Sequence, residues 1–139
     1  MSNVAKVLFN ILSNDAQVSP VVSNGTTPAT YRIHPLTAYL QEQPPFITTQ
    51  IITGTPEKSK QIASVDSYRV QVNIIDETHD AAHSLAAKVR TALDFKSGTY
   101  AGINMQYCAL ETTQDIYEDG NNLNGGVMIV QEYLIRLVN

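Results

Sequence analysis

Residues 65–95 read VDSYRVQVNIIDETHDAAHSLAAKVRTALDF, and within them a strand pattern changes directly into a helix pattern. In the first twelve residues apolar and polar side chains alternate: Tyr68, Val70, Val72 and Ile74 on one side, Arg69, Gln71 and Asn73 on the other. A period of two is typical of an antiparallel strand with one buried face. The sequence therefore predicts a half-buried strand over residues 65–76.

The second part of this stretch predicts the strongest helix of the chain, over residues 78–95. Its apolar side chains recur at helical spacing and form one stripe: Ala82, Leu85, Ala86, Val89 and Leu93. Thr78 can cap the N-terminus through its side-chain oxygen, and Lys96-Ser97-Gly98 can end the helix. We expect the stripe to pack against a sheet.

Further elements extend outward from this strand and helix. On the N-terminal side the sequence predicts an amphipathic helix over residues 4–12, a loop over residues 19–28, and two strands over residues 31–34 and 46–53. On the C-terminal side it predicts two strands, over residues 102–114 and 127–138, the second in a central position. The first of these is expected to turn one face toward the core: Ile103, Met105, Tyr107 and Ala109. Polar loops are predicted over residues 54–64 and 118–126.

This order of elements predicts an α+β fold in a single domain of residues 1–139. Two strand hairpins flank one long helix, so we expect a mostly antiparallel sheet with two main helices packed on one face. The opposite sheet face is expected to be polar but nearly uncharged, suited to solvent or to a partner subunit. It carries Arg69, Gln71, Asn73, Asn104 and Gln106.

Composition excludes several classes of function. Charged residues make up only 16% of the chain, below the roughly 25% of an average soluble domain. The net charge of −4 disfavours binding of nucleic acid through its phosphates. Cys108 is the lone cysteine, which excludes an internal disulfide framework and a multi-cysteine metal site. No apolar run approaches membrane-spanning length, so we expect a soluble protein of a reducing compartment that has no membrane partner.

The sequence His79-Asp80-Ala81-Ala82-His83 is the strongest candidate for chemistry. Two histidines at i and i+4 on a helix can share a zinc ion, as in the H-E-x-x-H pattern of zinc proteases. Here the shorter Asp80 replaces the glutamate that acts as base, and both histidines fall beside the apolar stripe. No histidine follows His83, so a third ligand would be a carboxylate, and the candidates are Glu111, Glu118 and Glu132. We therefore predict structural histidines, with a metal-dependent hydrolase as an open alternative.

The remaining candidates also favour structure over chemistry. His34 is interpreted as a polar residue at a strand end and Cys108 as a buried or half-buried thiol. The glycine-rich residues 119–126 lack the lysine and the following helix of phosphate-binding loops. No serine triad, nucleotide fingerprint or pair of catalytic carboxylates is present, so the sequence predicts a protein without enzymatic activity and without a cofactor. A ferredoxin-like module that binds a small molecule remains a second alternative.

The order of several short motifs resembles the siphophage tail-completion family, also called tail terminator or tail-to-head joining proteins. These motifs are Tyr31-Arg32-Ile33-His34-Pro35, Gln43-Pro44-Pro45-Phe46-Ile47, Arg69-Val70-Gln71-Val72, Val89-Arg90-Thr91-Ala92-Leu93 and the closing strand over residues 127–138. Each motif is weak alone, but their order and spacing together are specific. The resemblance covers nearly the whole chain.

This resemblance implies a virion structural role in the tail or neck. Members form a homo-oligomeric ring, expected here to be a hexamer, that caps the tail tube, stops its polymerisation and joins the tail to a head-side connector. DNA then passes through the ring without specific binding. Assembly would take place in the host cytoplasm. Another neck or connector protein of the stopper type, or a minor tail structural protein, is the alternative within this class.

The resemblance implies contact residues in two polar segments. We expect residues 54–64 and 119–126 to contact neighbouring subunits or the tube, through Glu57, Lys58, Lys60, Asp119, Asn121, Asn122 and Asn124. Exposed strand edges are a second expected means of subunit pairing, with the strands over residues 65–76 and 102–114 as candidates.

Overall fold

The computed structural model describes residues 2–25, 27, 29–35, 44–57, 65–117 and 127–138. In chain order its elements are α1 (Asn3–Asn14), α2 (Ser19–Val22), β1 (Ile33–Pro35), β2 (Phe46–Glu57), β3 (Val65–Asp76), α3 (His79–Leu93), β4 (Gly98–Tyr100), β5 (Ile103–Tyr117) and β6 (Val127–Val138). The α+β fold predicted from the sequence is confirmed. Among the described helices, none is long and apolar enough to cross a membrane.

The described strands form one six-stranded sheet in the order β1-β2-β3-β6-β5-β4. The pair β1–β2 is parallel and the other neighbouring pairs are antiparallel. The hairpins β2–β3 and β5–β6 flank α3 in sequence, and β6 pairs on both sides along its length. Both predictions, two hairpins around the long helix and a central last strand, are confirmed.

Both main helices pack on one face of this sheet and form the core with it. Val70, Val72 and Ile74 of β3 are fully buried under the helices, as their alternation predicts. The predicted helix caps are present: the side-chain oxygen of Ser2 accepts a hydrogen bond from the Ala5 amide, and that of Thr78 accepts one from the Ala81 amide. The predicted apolar stripe of α3 is buried throughout.

Several predicted boundaries and faces are wrong. The loop predicted to begin at Gly54 is strand as far as Glu57, because the ladder with β3 continues to the pair Glu57–Val65. Glycine avoids a close contact at position 54, because a Cβ there would lie only 3.1 Å from the ring of Tyr68. The short elements α2 and β4 also lie in segments predicted as loop or helix end.

The predicted core face of β5 is interrupted by a bulge. The pairing register with β6 shifts between Met105 and Tyr107, and such a shift reverses the direction of the side chains that follow. Met105 and Cys108 are consequently buried, whereas Tyr107 is 42% exposed. The prediction that Tyr107 shares a core-facing side with Met105 is therefore wrong.

Two buried hydrogen bonds link β6 to α3 within this core. The Tyr133 hydroxyl donates to the Gln131 side-chain oxygen at 2.8 Å, and the Gln131 amide donates to the Ala86 carbonyl at 3.1 Å.

Burial raises the pKa of the Tyr133 hydroxyl, with further contributions from Cys108 and Asp94. Burial and then the Asp94 charge also raise the pKa of the Cys108 thiol, to about 12. The thiol is therefore protonated at neutral pH, which agrees with its predicted structural role.

Candidate assembly surfaces

Most of the predicted contact residues lie outside the described residues. Lys58, Lys60, Asp119, Asn121, Asn122 and Asn124 belong to residues 58–64 and 118–126, and Glu57 is the last residue of β2. The ends of these two segments are nevertheless placed. Residues 58–64 connect the pair Glu57–Val65, and residues 118–126 connect the pair Tyr117–Val127.

These two connections begin at opposite ends of the sheet. Val65 pairs with Val138 at one end, and Asp76 pairs with Val127 at the other. The twelve residues of β3 between those pairs span roughly 37 Å at about 3.4 Å per residue. The two segments predicted to make contacts are therefore anchored at two separate ends of the sheet.

The sheet face without helices carries the predicted polar side chains but is not uniformly polar, because Phe46, Ile75 and Met128 form a small apolar cluster on it. Arg69 and Glu111 form an ion pair of 2.6 Å across this face. Asn73 is buried there and donates to the Thr48 hydroxyl at 3.0 Å, so it is less available for contact than predicted. A shallow depression of about 370 Å³ lies on the same face and is lined by Ser67, Gln106, Tyr107, Leu134 and Arg136.

An apolar groove lies at the β1–β2 edge of the sheet, beneath the first turns of α1. Its volume is about 310 Å³, and it is lined by Ser2, Val4, Ala5, Leu8, Pro35, Thr49, Gln50, Ile51 and Val70. The groove exists because β1 pairs only with residues 47–49 of β2, which leaves the outer edge of β2 beyond Thr49 without a strand neighbour among the described residues. Ile51 and Ile52 are 38% and 41% exposed beside it.

An exposed aromatic side chain lies at the opposite, β5 edge. Phe95 is 80% exposed and has a positive φ of 61°, a strained conformation for a bulky residue. Its amide donates to the Cys108 carbonyl at 2.7 Å, and the neighbouring Asp94 carboxylate accepts from the Leu110 amide at 2.9 Å. These two hydrogen bonds fix the end of α3 on the edge of β5 and hold the phenyl ring outward.

We predicted that β3 and β5 pair with a partner through free strand edges. For β3 this prediction is wrong, and for β5 it stays a prediction. β3 is paired along its length with both β2 and β6, so its edges are not available to a partner. β5 pairs with β4 only through Ile103, Asn104 and Met105. Beyond Met105 its outer edge has no strand neighbour among the described residues.

His79 and His83 lie together on α3, and the residue that joins them is Asp115 of β5. The Asp115 carboxylate oxygen lies 3.1 Å from Nε2 of His83 and 3.4 Å from Nε2 of His79. The predicted third partners do not join them: Glu111 pairs with Arg69, Glu132 lies opposite Gln71 on the other sheet face, and Glu118 is outside the described residues. Asp115 was not predicted as a partner of the two histidines, because only the pairing of β5 within the sheet brings its side chain next to α3.

The two histidines also affect the acidity of Asp115. Partial loss of water raises the pKa of its carboxyl, but hydrogen bonds from His83 and His79 and the charges of both rings lower it more. The result is a pKa below the usual value for aspartate. Asp115 is thus ionised at neutral pH and faces two imidazole nitrogens.

The fold and these surfaces define a class of protein, that of small α+β proteins with an exposed apolar group at one sheet edge and an apolar groove at the other. The family model "Tail completion protein gp17" matches residues 6–133. The chain belongs to this family, and membership places it among phage tail structural proteins.

A solved structure shares the fold over nearly the full length of both chains. A chain of the structure described as "Virion of native gene transfer agent (GTA) particle" superposes with a TM-score of 0.70 at 12% sequence identity. The match covers 98% of this chain and 95% of that chain. A search of curated proteins gave no significant match.

Proposed function

We propose that this chain forms a closed homo-oligomeric ring that caps the tail tube, stops its polymerisation and presents a docking surface to the head-side connector. The proposal rests on family membership and on one structural observation that carries it: the exposed Phe95 and the apolar groove lie on opposite edges of one sheet. It requires no catalysis and no resident cofactor.

In the proposed ring, Phe95 of one subunit enters the apolar groove of the next. Contacts between two different surfaces generate a head-to-tail series, and such a series forms a ring when its rotation closes. A groove of about 310 Å³ accommodates a phenyl ring, and its lining is almost entirely apolar. The exposed Ile51 and Ile52 would be covered at the same time, which removes apolar surface from water.

The two ends of the subunit supply the two axial surfaces of the ring. The segment that follows Glu57 starts at one end of the sheet, and the segment that follows Tyr117 starts at the other. We assign one end to the tube and the other to the head-side connector. Growth stops because the second end differs from the surface on which tube subunits add.

The charge of the chain is compatible with passage of DNA through the ring. Each copy carries −4, and a wall of that sign does not neutralise phosphates. DNA would then slide past the ring without being retained. The virion tail is the proposed location, reached after assembly in the host cytoplasm.

Tube length provides the functional test. Purified tail tube protein is polymerised with and without the chain, and tube lengths are measured by negative-stain imaging. We expect added chain to shorten the tubes and to appear as a ring at one end. Tubes of unchanged length with bare ends would contradict the capping role. Binding to head-side proteins without an effect on tube length would instead indicate a stopper-type neck protein.

A further inference from the structure

A cluster of three potential metal ligands lies where the first turns of α3 meet β5. His79 and His83 project from one side of the helix, and Asp115 projects toward them from the strand. We propose that these three side chains bind one transition-metal cation of the zinc class. This site is independent of the proposed ring.

The distances between the ligand atoms match a tetrahedral metal site. An ion about 2.0–2.1 Å from each of three tetrahedral ligands holds those atoms roughly 3.3 Å from one another. The Nε2 atoms of His79 and His83 are 3.1 Å apart, and they lie 3.4 Å and 3.1 Å from the Asp115 Oδ2. All three separations therefore agree with a shared ion to within about 0.3 Å.

Hydrogen bonds alone satisfy this triangle poorly. Each imidazole Nε2 has either one proton or one lone pair, directed in the plane of its ring, yet each faces two other ligand atoms. The ionised Asp115 carboxylate only accepts hydrogen bonds. A cation at the centre accepts a lone pair from all three atoms at once.

The set of ligand atoms selects the kind of cation. Two imidazole nitrogens and one carboxylate oxygen suit zinc and similar divalent ions, whereas Mg²⁺ and Ca²⁺ prefer oxygen ligands. The ligand side chains are 63%, 45% and 52% exposed, so water can fill the remaining coordination position. The ion would join a helix to a strand more than thirty residues along the chain and stabilise the folded state by preferential binding.

The test uses Zn²⁺ as the probe on chelator-treated chain. Isothermal titration is expected to show one saturable site per chain, and the unfolding temperature is expected to rise with Zn²⁺ but not with Mg²⁺. His83→Asn is expected to lose the saturable binding, and Asp115→Asn is expected to weaken it. Circular dichroism without metal checks that each variant folds.

Two matched substitutions serve as controls. His34→Gln removes the other histidine of the chain, and Asp80→Asn removes an exposed carboxylate on the same helical turn as His79. Both are expected to bind Zn²⁺ as the unchanged chain does. Absence of a saturable site, an equal loss in His34→Gln, or unweakened binding in Asp115→Asn would each overturn the three-ligand site.

Discussion

Replacing Phe95 by alanine tests the proposed subunit contact with a magnitude set by the structure. A phenylalanine side chain buries about 150–250 Å² when fully covered, and 80% of Phe95 is exposed in the single subunit. Full insertion would thus remove about 120–200 Å² from water, worth about 3–5 kcal/mol at 25 cal/mol per Å². Even 3 kcal/mol corresponds to a roughly 100-fold weaker subunit contact in Phe95→Ala.

Sedimentation velocity over a concentration series measures this effect. Tyr107→Ala is the matched control, because Tyr107 is also an exposed aromatic residue but lines the depression on the sheet face without helices and not the apolar groove. Ile51→Glu places a charge in the groove and is expected to block association by disrupting the surface that receives Phe95. Each variant keeps one functional surface, so a mixture of Phe95→Ala and Ile51→Glu is expected to form pairs but not rings. Equal association of Phe95→Ala and the unchanged chain would show that Phe95 makes no contact between copies.

Three further predictions concern stability. Tyr133→Phe leaves the buried Gln131 oxygen without its donor and is expected to lower the free energy of unfolding by about 1–3 kcal/mol in urea titrations; no change would show that the hydrogen bond contributes nothing. Thr78→Ala removes the cap of α3 and is expected to cost about 1 kcal/mol in the same assay; an unchanged midpoint would contradict a stabilising cap. The native pKa of Cys108, about 12, exceeds its ordinary value of 9.0, so the native state binds more protons between these values and stability falls as pH rises above 9. Cys108→Ala is expected to make that fall shallower, and an equally steep fall would count against the thiol.

Much of the fold was predictable because local pattern and tertiary packing agree. The alternation around Val72 and the stripe around Val89 each require one buried face, and the structure buries both. The central position of β6 followed from its apolar start. Where pattern and pairing disagree, pairing prevails: Gly54 and Pro56 suggest a turn, yet the ladder with β3 continues past both.

The candidate surfaces were less predictable because they depend on contacts between distant parts of the chain. Phe95 belonged to the predicted helix, but α3 ends at Leu93 and the Phe95 side chain is 80% exposed while its amide bonds to Cys108. Asp115 reaches the histidines because β5 pairs with β6 in a register that contains two shifts. A signal was present in the i, i+4 spacing of His79 and His83, but periodicity does not specify which carboxylate faces a helix.

Electron cryo-microscopy of assembled tails would show directly whether copies of this chain form a closed ring. Tails built with this chain are imaged at the tube end that faces the head, and the density is compared with the fold described above. We expect a closed ring of copies at that end, with Phe95 of each copy seated in the apolar groove of its neighbour. An open or absent ring, or a closed ring in which Phe95 remains in solvent, would contradict it.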